Sequence, residues 1–238
     1  MGAKSHIEWT EATWNPVTGC TKVSAGCKNC YAERMARRLH AMGSPRYKNG
    51  FRTTPHHDLV DLPRTWATPR LIFVNSMSDL FHPDVPMDFI QQVFATMAEC
   101  SQHTFQILTK RSERLRKLAL KIDWPVNVWM GVSVEDSAVL GRVDDLRKVP
   151  AAVRFLSCEP LIGSLAQMDL ADIHCVIVGG ESGHGARDMK SEWVREIFQA
   201  CKKQDVPFFF KQWGGVRKDL TGRLLRGRTY DEMPRRAA

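Results

Sequence analysis

The sequence predicts an α/β fold in which parallel strands alternate with helices and curl into a partial or complete (β/α) barrel. Six short runs of apolar, β-forming residues are continuous rather than alternating, as in strands buried on both faces of a parallel sheet. Stretches with helical periodicity separate these runs. Right-handed connections between such units bring the carboxyl ends of the strands to one rim, where functional groups gather.

The elements follow one another at short intervals along the chain. The helix at 86–100, for example, repeats its apolar residues at i, i+3, i+4 and i+7 from Ile90 to Met97. The predicted strands are 71–75, 104–109, 128–134, 154–157, 175–178 and 207–210, and the predicted helices are 31–42, 86–100, 112–120, 136–148 and 191–201. We expect one barrel domain at 1–215 and a basic, turn-rich extension of the same domain at 216–238.

Composition and charge narrow the class of protein. The chain has 238 residues and a formal net charge of +8, which raises the odds of a polyanionic partner such as DNA or another nucleic acid. No apolar run approaches the roughly 20 residues that a membrane-spanning helix needs, and the N-terminus has no apolar signal segment. We therefore expect a cytoplasmic protein with no membrane association and with reduced thiols.

Three of the seven cysteines are crowded together at Cys20, Cys27 and Cys30. In a reducing compartment this spacing favours metal binding over disulfides, whereas the other four cysteines lie in apolar segments typical of inert buried thiols. A structural zinc ion normally takes four protein ligands, and no second cysteine pair is present. A [4Fe–4S] cluster on three cysteines would leave one iron open to a small molecule. Three unrelated thiols are the remaining alternative.

Polar or glycine residues follow every predicted strand. Helix capping alone accounts for polar groups after one strand, but their presence after all six strands favours a shared site on one rim. The candidates are Ser76, Asp79, Lys110, Ser133, Glu135, Gly179, Gly180, Glu181 and Lys211.

Several motifs carry a resemblance to a known superfamily. They are WNPVTGC at 14–20, CKNCYA at 27–32, LTKR at 108–111, SCEPL at 157–161, VGGESG at 178–183 and KQWG at 211–214. The sequence resembles the radical S-adenosylmethionine proteins, and more narrowly their small phage-associated family similar to spore photoproduct lyase. The spacing departs from the best-known cysteine motif of that superfamily, with six residues instead of three between the first two cysteines.

The resemblance implies a cofactor chemistry and a set of roles. Cys20, Cys27 and Cys30 would hold the [4Fe–4S] cluster, whose open iron would bind S-adenosyl-L-methionine. Reductive cleavage would yield methionine and a 5′-deoxyadenosyl radical that abstracts hydrogen from substrate, with electrons from a reductant such as flavodoxin or ferredoxin. The implied contacts to the bound cofactor are Tyr31 with adenine, Ser76 and Asp79 with the amino group, Lys110 with the carboxylate or a phosphate, Ser133 and Glu135 with the ribose, and Gly179, Gly180 and Glu181 with the adenosine.

A further role is implied for Cys158, at the predicted carboxyl end of a strand. A cysteine donates a hydrogen atom to the product radical in photoproduct lyases, and Cys158 could do the same. A packed, inert thiol is the alternative.

Nucleic-acid contact has its own candidate loop, with Arg46, Tyr47, Lys48 and Arg52. Basic groups interleaved with aromatic rings can hold phosphates while the rings stack on exposed bases. Lys211 is a further phosphate candidate. The alternative is an ordinary surface loop in which Tyr47 and Phe51 pack into the body of the protein.

The preferred function is a radical enzyme that acts on a nucleic-acid lesion, as a DNA photoproduct lyase or in cross-link repair. A radical enzyme for a small metabolite is one alternative. A zinc-stabilised nucleic-acid-binding protein, which is not an enzyme, is the other.

Overall fold

Seven parallel strands form the framework of the protein in a computed structural model that describes Ser5 and residues 7–235. The strands are β1 (Ala12–Trp14), β4 (Leu71–Val74), β5 (Thr104–Thr109), β6 (Val128–Ser133), β7 (Val153–Cys158), β8 (Cys175–Gly179) and β9 (Phe208–Gln212), and a separate antiparallel pair consists of β2 (Val17–Thr18) and β3 (Thr54–Pro55). The order across the sheet is β1-β4-β5-β6-β7-β8-β9. All six predicted strands are confirmed, and β1 adds a seventh.

Helices follow the strands as the alternation predicts. Their bounds are α1 (Tyr31–Ala41), α2 (Met87–Glu99), α3 (Ser112–Leu118), α4 (Gly141–Arg147), α5 (Ser191–Lys203) and the short α6 (Lys218–Thr221). The helix predicted at 136–148 is shorter than expected because its first residues form a 3-10 turn at Ser137–Val139. None of the helices in the described ranges is long and apolar enough to cross a membrane.

The sheet curls into a half-barrel with a different apolar core on each face. Leu156 and Val178 belong to the large core between the sheet and the helices. Their strand neighbours Phe155 and Ile177 belong to the smaller core inside the half-barrel, together with Trp9. The predicted α/β barrel class is therefore confirmed in its partial form, because β1 and β9 remain the two edges of the sheet.

The segment after β9 covers the outer edge of that strand. Residues Leu225 and Arg228 pair across a two-residue turn in which Arg226 and Gly227 have positive φ, the conformation of a tight hairpin. The chain then runs antiparallel to β9, and the Phe210 amide donates a 2.9 Å hydrogen bond to the Tyr230 carbonyl. Of the stretch 216–238, the described residues up to 235 include the short helix Lys218–Thr221 and this tight turn.

Candidate metal and cofactor site

The three clustered cysteines lie on a loop that joins β2 to α1. None of the described cysteines forms a disulfide, and Cys20, Cys27 and Cys30 are partly exposed whereas the other four are buried. Gly19 has a φ of 80°, and a Cβ there would overlap with the Arg52 carbonyl. The chain can therefore turn into the loop only because residue 19 is a glycine.

Arg111, directly beyond β5, holds the first cysteine. Its guanidinium lies 3.3 Å from the Cys20 sulfur and donates a 2.9 Å hydrogen bond to the Thr21 carbonyl. Asp79 orients the guanidinium through a 3.0 Å ion pair in which both side chains are buried. The pKa of Cys20 is raised to about 11, chiefly by burial and then by the negative charge of Asp79, while the positive charge of Arg111 opposes the increase.

Glu135, just beyond β6, holds the middle of the loop. One carboxylate oxygen accepts hydrogen bonds from the Ser24 hydroxyl and, at 3.3 Å, from the Gly26 amide. The other oxygen accepts a 2.8 Å hydrogen bond from Arg142, and both members of this ion pair are buried. A Cβ on Gly26 would lie 2.8 Å from the carboxylate, so a glycine is required for this approach.

Glu181, beyond β8, holds the loop near its third cysteine. Its Oε2 accepts a 2.9 Å hydrogen bond from the amide of Asn29, which lies between Cys27 and Cys30. Arg187 donates to both oxygens, at 2.8 and 2.6 Å. Burial alone would raise the pKa of this carboxyl, but hydrogen bonds from Arg187 and Asn29 outweigh it and lower the pKa to about 2.

The depressed pKa of Glu181 predicts a pH dependence of stability. The ordinary carboxyl pKa is 4.5, so the ionised form is favoured by folding, and its contribution is complete above pH 4.5 and lost as pH falls towards 2. We expect wild type to exceed Glu181→Gln in free energy of unfolding at pH 6, with the difference shrinking between pH 4.5 and 2. Denaturant titrations across this pH range measure the difference in free energy of unfolding between the two proteins. A difference that stays constant with pH would contradict the lowered pKa of Glu181.

His82 is a further support that the sequence interpretation missed. It is buried, and its ring nitrogens lie 2.9 Å from the Thr21 hydroxyl and 3.1 Å from the Thr53 hydroxyl. The ring therefore joins the cysteine loop to the segment before β3. Nothing in the local sequence distinguishes His82 from an ordinary buried histidine, since its partners lie far away along the chain.

Three of the predicted cofactor residues lie in different environments. Tyr31, next to Cys30, has 58% of its surface exposed. The Ser133 hydroxyl is buried and has no hydrogen-bond partner among the described residues. Lys110 is half-buried, and its amide donates to Asp79.

Other predicted cofactor contacts are occupied by the protein itself. Asp79, Glu135 and Glu181 are engaged with Arg111, Arg142 and Arg187, so their predicted contacts with the amino group, the ribose and the adenosine do not fit this arrangement. Ser76 lies 3.2 Å from the Asn15 amide oxygen. A Cβ on Gly179 would contact Glu159, and one on Gly180 would overlap with the Trp213 carbonyl, so packing between strands explains both glycines.

The hydrogen-donor role implied for Cys158 does not fit its position on the helix-facing side of β7. Side chains alternate between the two faces of β7: Phe155 belongs to the core inside the half-barrel, whereas Leu156 and Cys158 belong to the core beneath the helices. Cys158 is fully buried in the core beneath the helices, where burial raises its thiol pKa well above the ordinary value. An inert packed thiol, the alternative considered for the sequence, describes this position.

The residues of the predicted nucleic-acid loop differ in whether they are accessible to a partner. Tyr47 is buried against Ala32, Ala36 and Met77, so its ring is not available for stacking, and Phe51 packs partly against the same cluster. Arg46 forms a two-point ion pair with Asp58. Only Lys48 and Arg52 are exposed as predicted.

Lys211 lies inside the half-barrel rather than on the surface. Its ammonium forms a 2.6 Å ion pair with Glu159, and Glu8 lies 4.0 Å away. All three side chains are at least three-quarters buried, so Lys211 is poorly placed to meet a phosphate backbone. Lys211 is thus a polar group of the interior, on β9 beside β8.

Two kinds of metal site differ in the donors that they need from the protein. Among residues 5 and 7–235, no three His, Cys, Asp or Glu side chains stand close enough together to hold one metal ion, as a structural zinc site requires. An iron–sulfur cluster is a larger body in which each cysteine binds a different iron. Three partly exposed thiols on one anchored loop fit that second donor set.

Comparison with known proteins gives a family and a fold. Residues 4–234 match the family described as "Protein of unknown function (DUF5131)". The chain belongs to this family. No curated protein matches the DUF5131 chain.

Solved structures of spore photoproduct lyase have the same fold as the DUF5131 chain. The lyase complexed with dinucleoside spore photoproduct is 15% identical, with a TM-score of 0.51. A double variant with bound AdoMet and dinucleoside spore photoproduct is 15% identical, with a TM-score of 0.50, and a single variant is 14% identical, with a TM-score of 0.51. In each case the match covers 85% of this chain and 64% of the lyase chain.

Proposed function

We propose that this DUF5131 protein is a radical S-adenosylmethionine enzyme in which Cys20, Cys27 and Cys30 hold a [4Fe–4S] cluster. The observation that carries the proposal is the cysteine loop, whose partly exposed thiols are anchored by strand-end residues on the fold of spore photoproduct lyase. With S-adenosylmethionine bound, such a cluster supplies a 5′-deoxyadenosyl radical that abstracts hydrogen from substrate.

The residues of this chain would hold the cluster-binding loop in place and contact the bound S-adenosylmethionine. Arg111, Glu135 and Glu181 fix the loop relative to the strands, which limits movement of the thiols. Tyr31 offers an exposed ring beside Cys30 on which an adenine could stack. The unpartnered Ser133 hydroxyl offers a hydrogen bond to a ribose or a substrate oxygen.

We further propose that the substrate is a nucleic-acid lesion. The support is the likeness to a lyase solved with dinucleoside spore photoproduct, together with the chain's net charge of +8. A base that must undergo chemistry has to leave the helix stack, and this is easiest at damaged positions. The hydrogen-donor role is not carried over, because Cys158 lies in the helix-facing core.

The experiment that tests the cofactor is anaerobic purification and reconstitution followed by iron, sulfide and zinc analysis. We expect about four iron and four sulfide per chain, and release of 5′-deoxyadenosine on addition of dithionite and S-adenosylmethionine. Cys27→Ala should lose both the iron and the cleavage. Cys201→Ala is the matched control, because Cys201 is buried away from the loop, and it should keep both.

Two outcomes would overturn the proposal. One tightly bound zinc without sulfide would indicate a metal-stabilised binding protein instead. Equal iron content in Cys27→Ala and Cys201→Ala would show that Cys27 is not a ligand of the cluster.

The test of the substrate uses DNA that is irradiated as a dry film and digested to dinucleotides, which provides a mixture of lesions. We expect a lesion to be lost from this mixture on incubation with the reduced enzyme.

A further inference from the structure

The segment that carries the three cysteines is also the most basic part of the chain. Residues 20–52 contain eight lysine and arginine residues and a single carboxylate, Glu33, so this segment accounts for +7 of the net charge of +8. The basic residues are Lys22, Lys28, Arg34, Arg37, Arg38, Arg46, Lys48 and Arg52. The positive charge is therefore concentrated around the cysteine loop.

Two of these cations, Lys22 and Arg37, share the carboxylate of Glu33, and Lys28 lies next to Cys27 on the same loop. We call Lys22, Lys28 and Arg37 the basic face. The Lys22 ammonium donates a 3.2 Å hydrogen bond to the Lys28 carbonyl and forms a 3.2 Å ion pair with Glu33. Arg37 pairs with the same Glu33 at 2.5 Å. Side-chain exposure is 54% for Lys22 and 75% for Arg37, so both charges remain accessible to a partner.

The basic face has the composition of a small docking surface. Val23, between Lys22 and the second cysteine, has 47% of its surface exposed. An apolar centre with a charged rim is the usual arrangement of a protein interface, and weak redox encounters use the smallest ones. Lys22 lies two residues after Cys20, and Lys28 directly follows Cys27.

Part of the cysteine loop contacts the rest of the protein, and part of it is exposed to solvent. Arg111, Glu135 and Glu181 contact the loop from the strand ends. Lys22, Lys28 and Arg37, by contrast, are exposed to solvent. A substrate bound over the strand ends would approach from within, which leaves the outer side of the loop as a short route for electrons.

We propose that the basic face docks an acidic protein that carries a low-potential one-electron cofactor. The inference rests on the proposed function, because it concerns the supply of electrons to the centre held by the three cysteines. In this step the donor protein is oxidised by one electron and the iron–sulfur centre is reduced by one, with no bond formed or broken. Complementary charge steers such encounters and makes their association rate depend on salt.

The test uses the anaerobically reconstituted protein and a purified flavodoxin as the acidic probe. We expect the dissociation constant for flavodoxin, measured by calorimetry at low ionic strength, to be on the order of tenfold higher for Lys22→Gln/Lys28→Gln than for wild type. In high salt, the wild type and the double variant should bind flavodoxin with the same weak affinity. The control is Lys148→Gln/Lys203→Gln, which removes the same charge from two exposed lysines at the C-terminal ends of α4 and α5. The control should bind like wild type.

A second readout separates docking from the cofactor chemistry. Dithionite is a small reductant that needs no docking surface, so we expect the double variant to release 5′-deoxyadenosine normally with dithionite and more slowly with reduced flavodoxin. Failure of wild type with dithionite would overturn the proposed function itself. Equal flavodoxin affinity in the variant and the control would overturn the docking site alone.

Nucleic acid is the competing occupant of a basic surface, and the same variants test it. Binding of a single-stranded DNA oligonucleotide should be similar in Lys22→Gln/Lys28→Gln and in Lys148→Gln/Lys203→Gln. If the first variant loses DNA affinity while its flavodoxin affinity is unchanged, the basic face belongs to the nucleic acid and the proposal is wrong.

Discussion

Replacement of Glu135 by alanine is expected to lower the free energy of unfolding by about 3–5 kcal/mol, since it leaves a buried charge without its partner. Arg142 donates to Glu135 at 2.8 Å and both side chains are buried. The change also removes the acceptor for Ser24 and Gly26, so the cysteine loop loses its central anchor. Urea denaturation measures the stability, and iron retained during gel filtration of reconstituted protein measures the effect on the loop.

Two variants separate the buried charge from the loop contact. Asp144→Ala removes a carboxylate that pairs with Arg147 at the surface and should change stability by less than about 1 kcal/mol. Glu135→Ala/Arg142→Met removes both buried charges and should recover much of the stability while iron retention stays low. If Glu135→Ala unfolds at the same urea concentration as Asp144→Ala, the buried ion pair does not contribute as the geometry indicates.

Replacement of Gly180 by alanine is expected to destabilise the protein by about 1–3 kcal/mol or more, the range for an overpacked site. A Cβ at this position would overlap with the Trp213 carbonyl and approach Cα of Gly214 to 3.2 Å. Because these atoms belong to the backbone, no side-chain rotation can relieve the contact. The two segments are also joined by the Gly180 amide, which donates a 3.0 Å hydrogen bond to the Gln212 carbonyl.

Gly141→Ala provides a control of the opposite sign. Gly141 begins α4, and a Cβ there would meet nothing within 4 Å. We expect a gain of about 0.4–1 kcal/mol, because alanine restricts the unfolded chain and favours the helix. Thermal unfolding followed by circular dichroism compares the two variants. A Gly180→Ala protein as stable as wild type would show that β8 and β9 can separate without penalty.

The strand pattern of the fold could be read from the sequence because buried parallel strands are continuous apolar runs. Because every residue of such a run is apolar, the sequence does not show which residues of the strand face the inside of the half-barrel. In β7, Phe155 and Leu156 are equally buried and equally apolar, yet they belong to different cores. The orientation of Cys158 depends on that difference, so sequence alone could not decide it.

The rim of polar residues could also be predicted, but not what those residues contact. Glu135 and Glu181 were placed correctly at strand ends, since a parallel sheet brings these ends together. Their actual partners, Ser24 and Asn29, lie more than 100 residues earlier in the chain. Such pairs are formed by the folded arrangement, and only the three-dimensional structure distinguishes a carboxylate that anchors a loop from one that binds a ligand.

The cover on the outer edge of β9 has a consequence for how the protein is made. An uncovered edge strand is a template for pairing with another chain, and the aromatic run of β9 would make such pairing favourable. Its protection comes from Tyr230 and from Glu232, whose carboxylate accepts a hydrogen bond from the Phe208 amide. During synthesis β9 emerges before these residues do, so the nascent sheet passes through a stage at which self-association competes with completion of the fold.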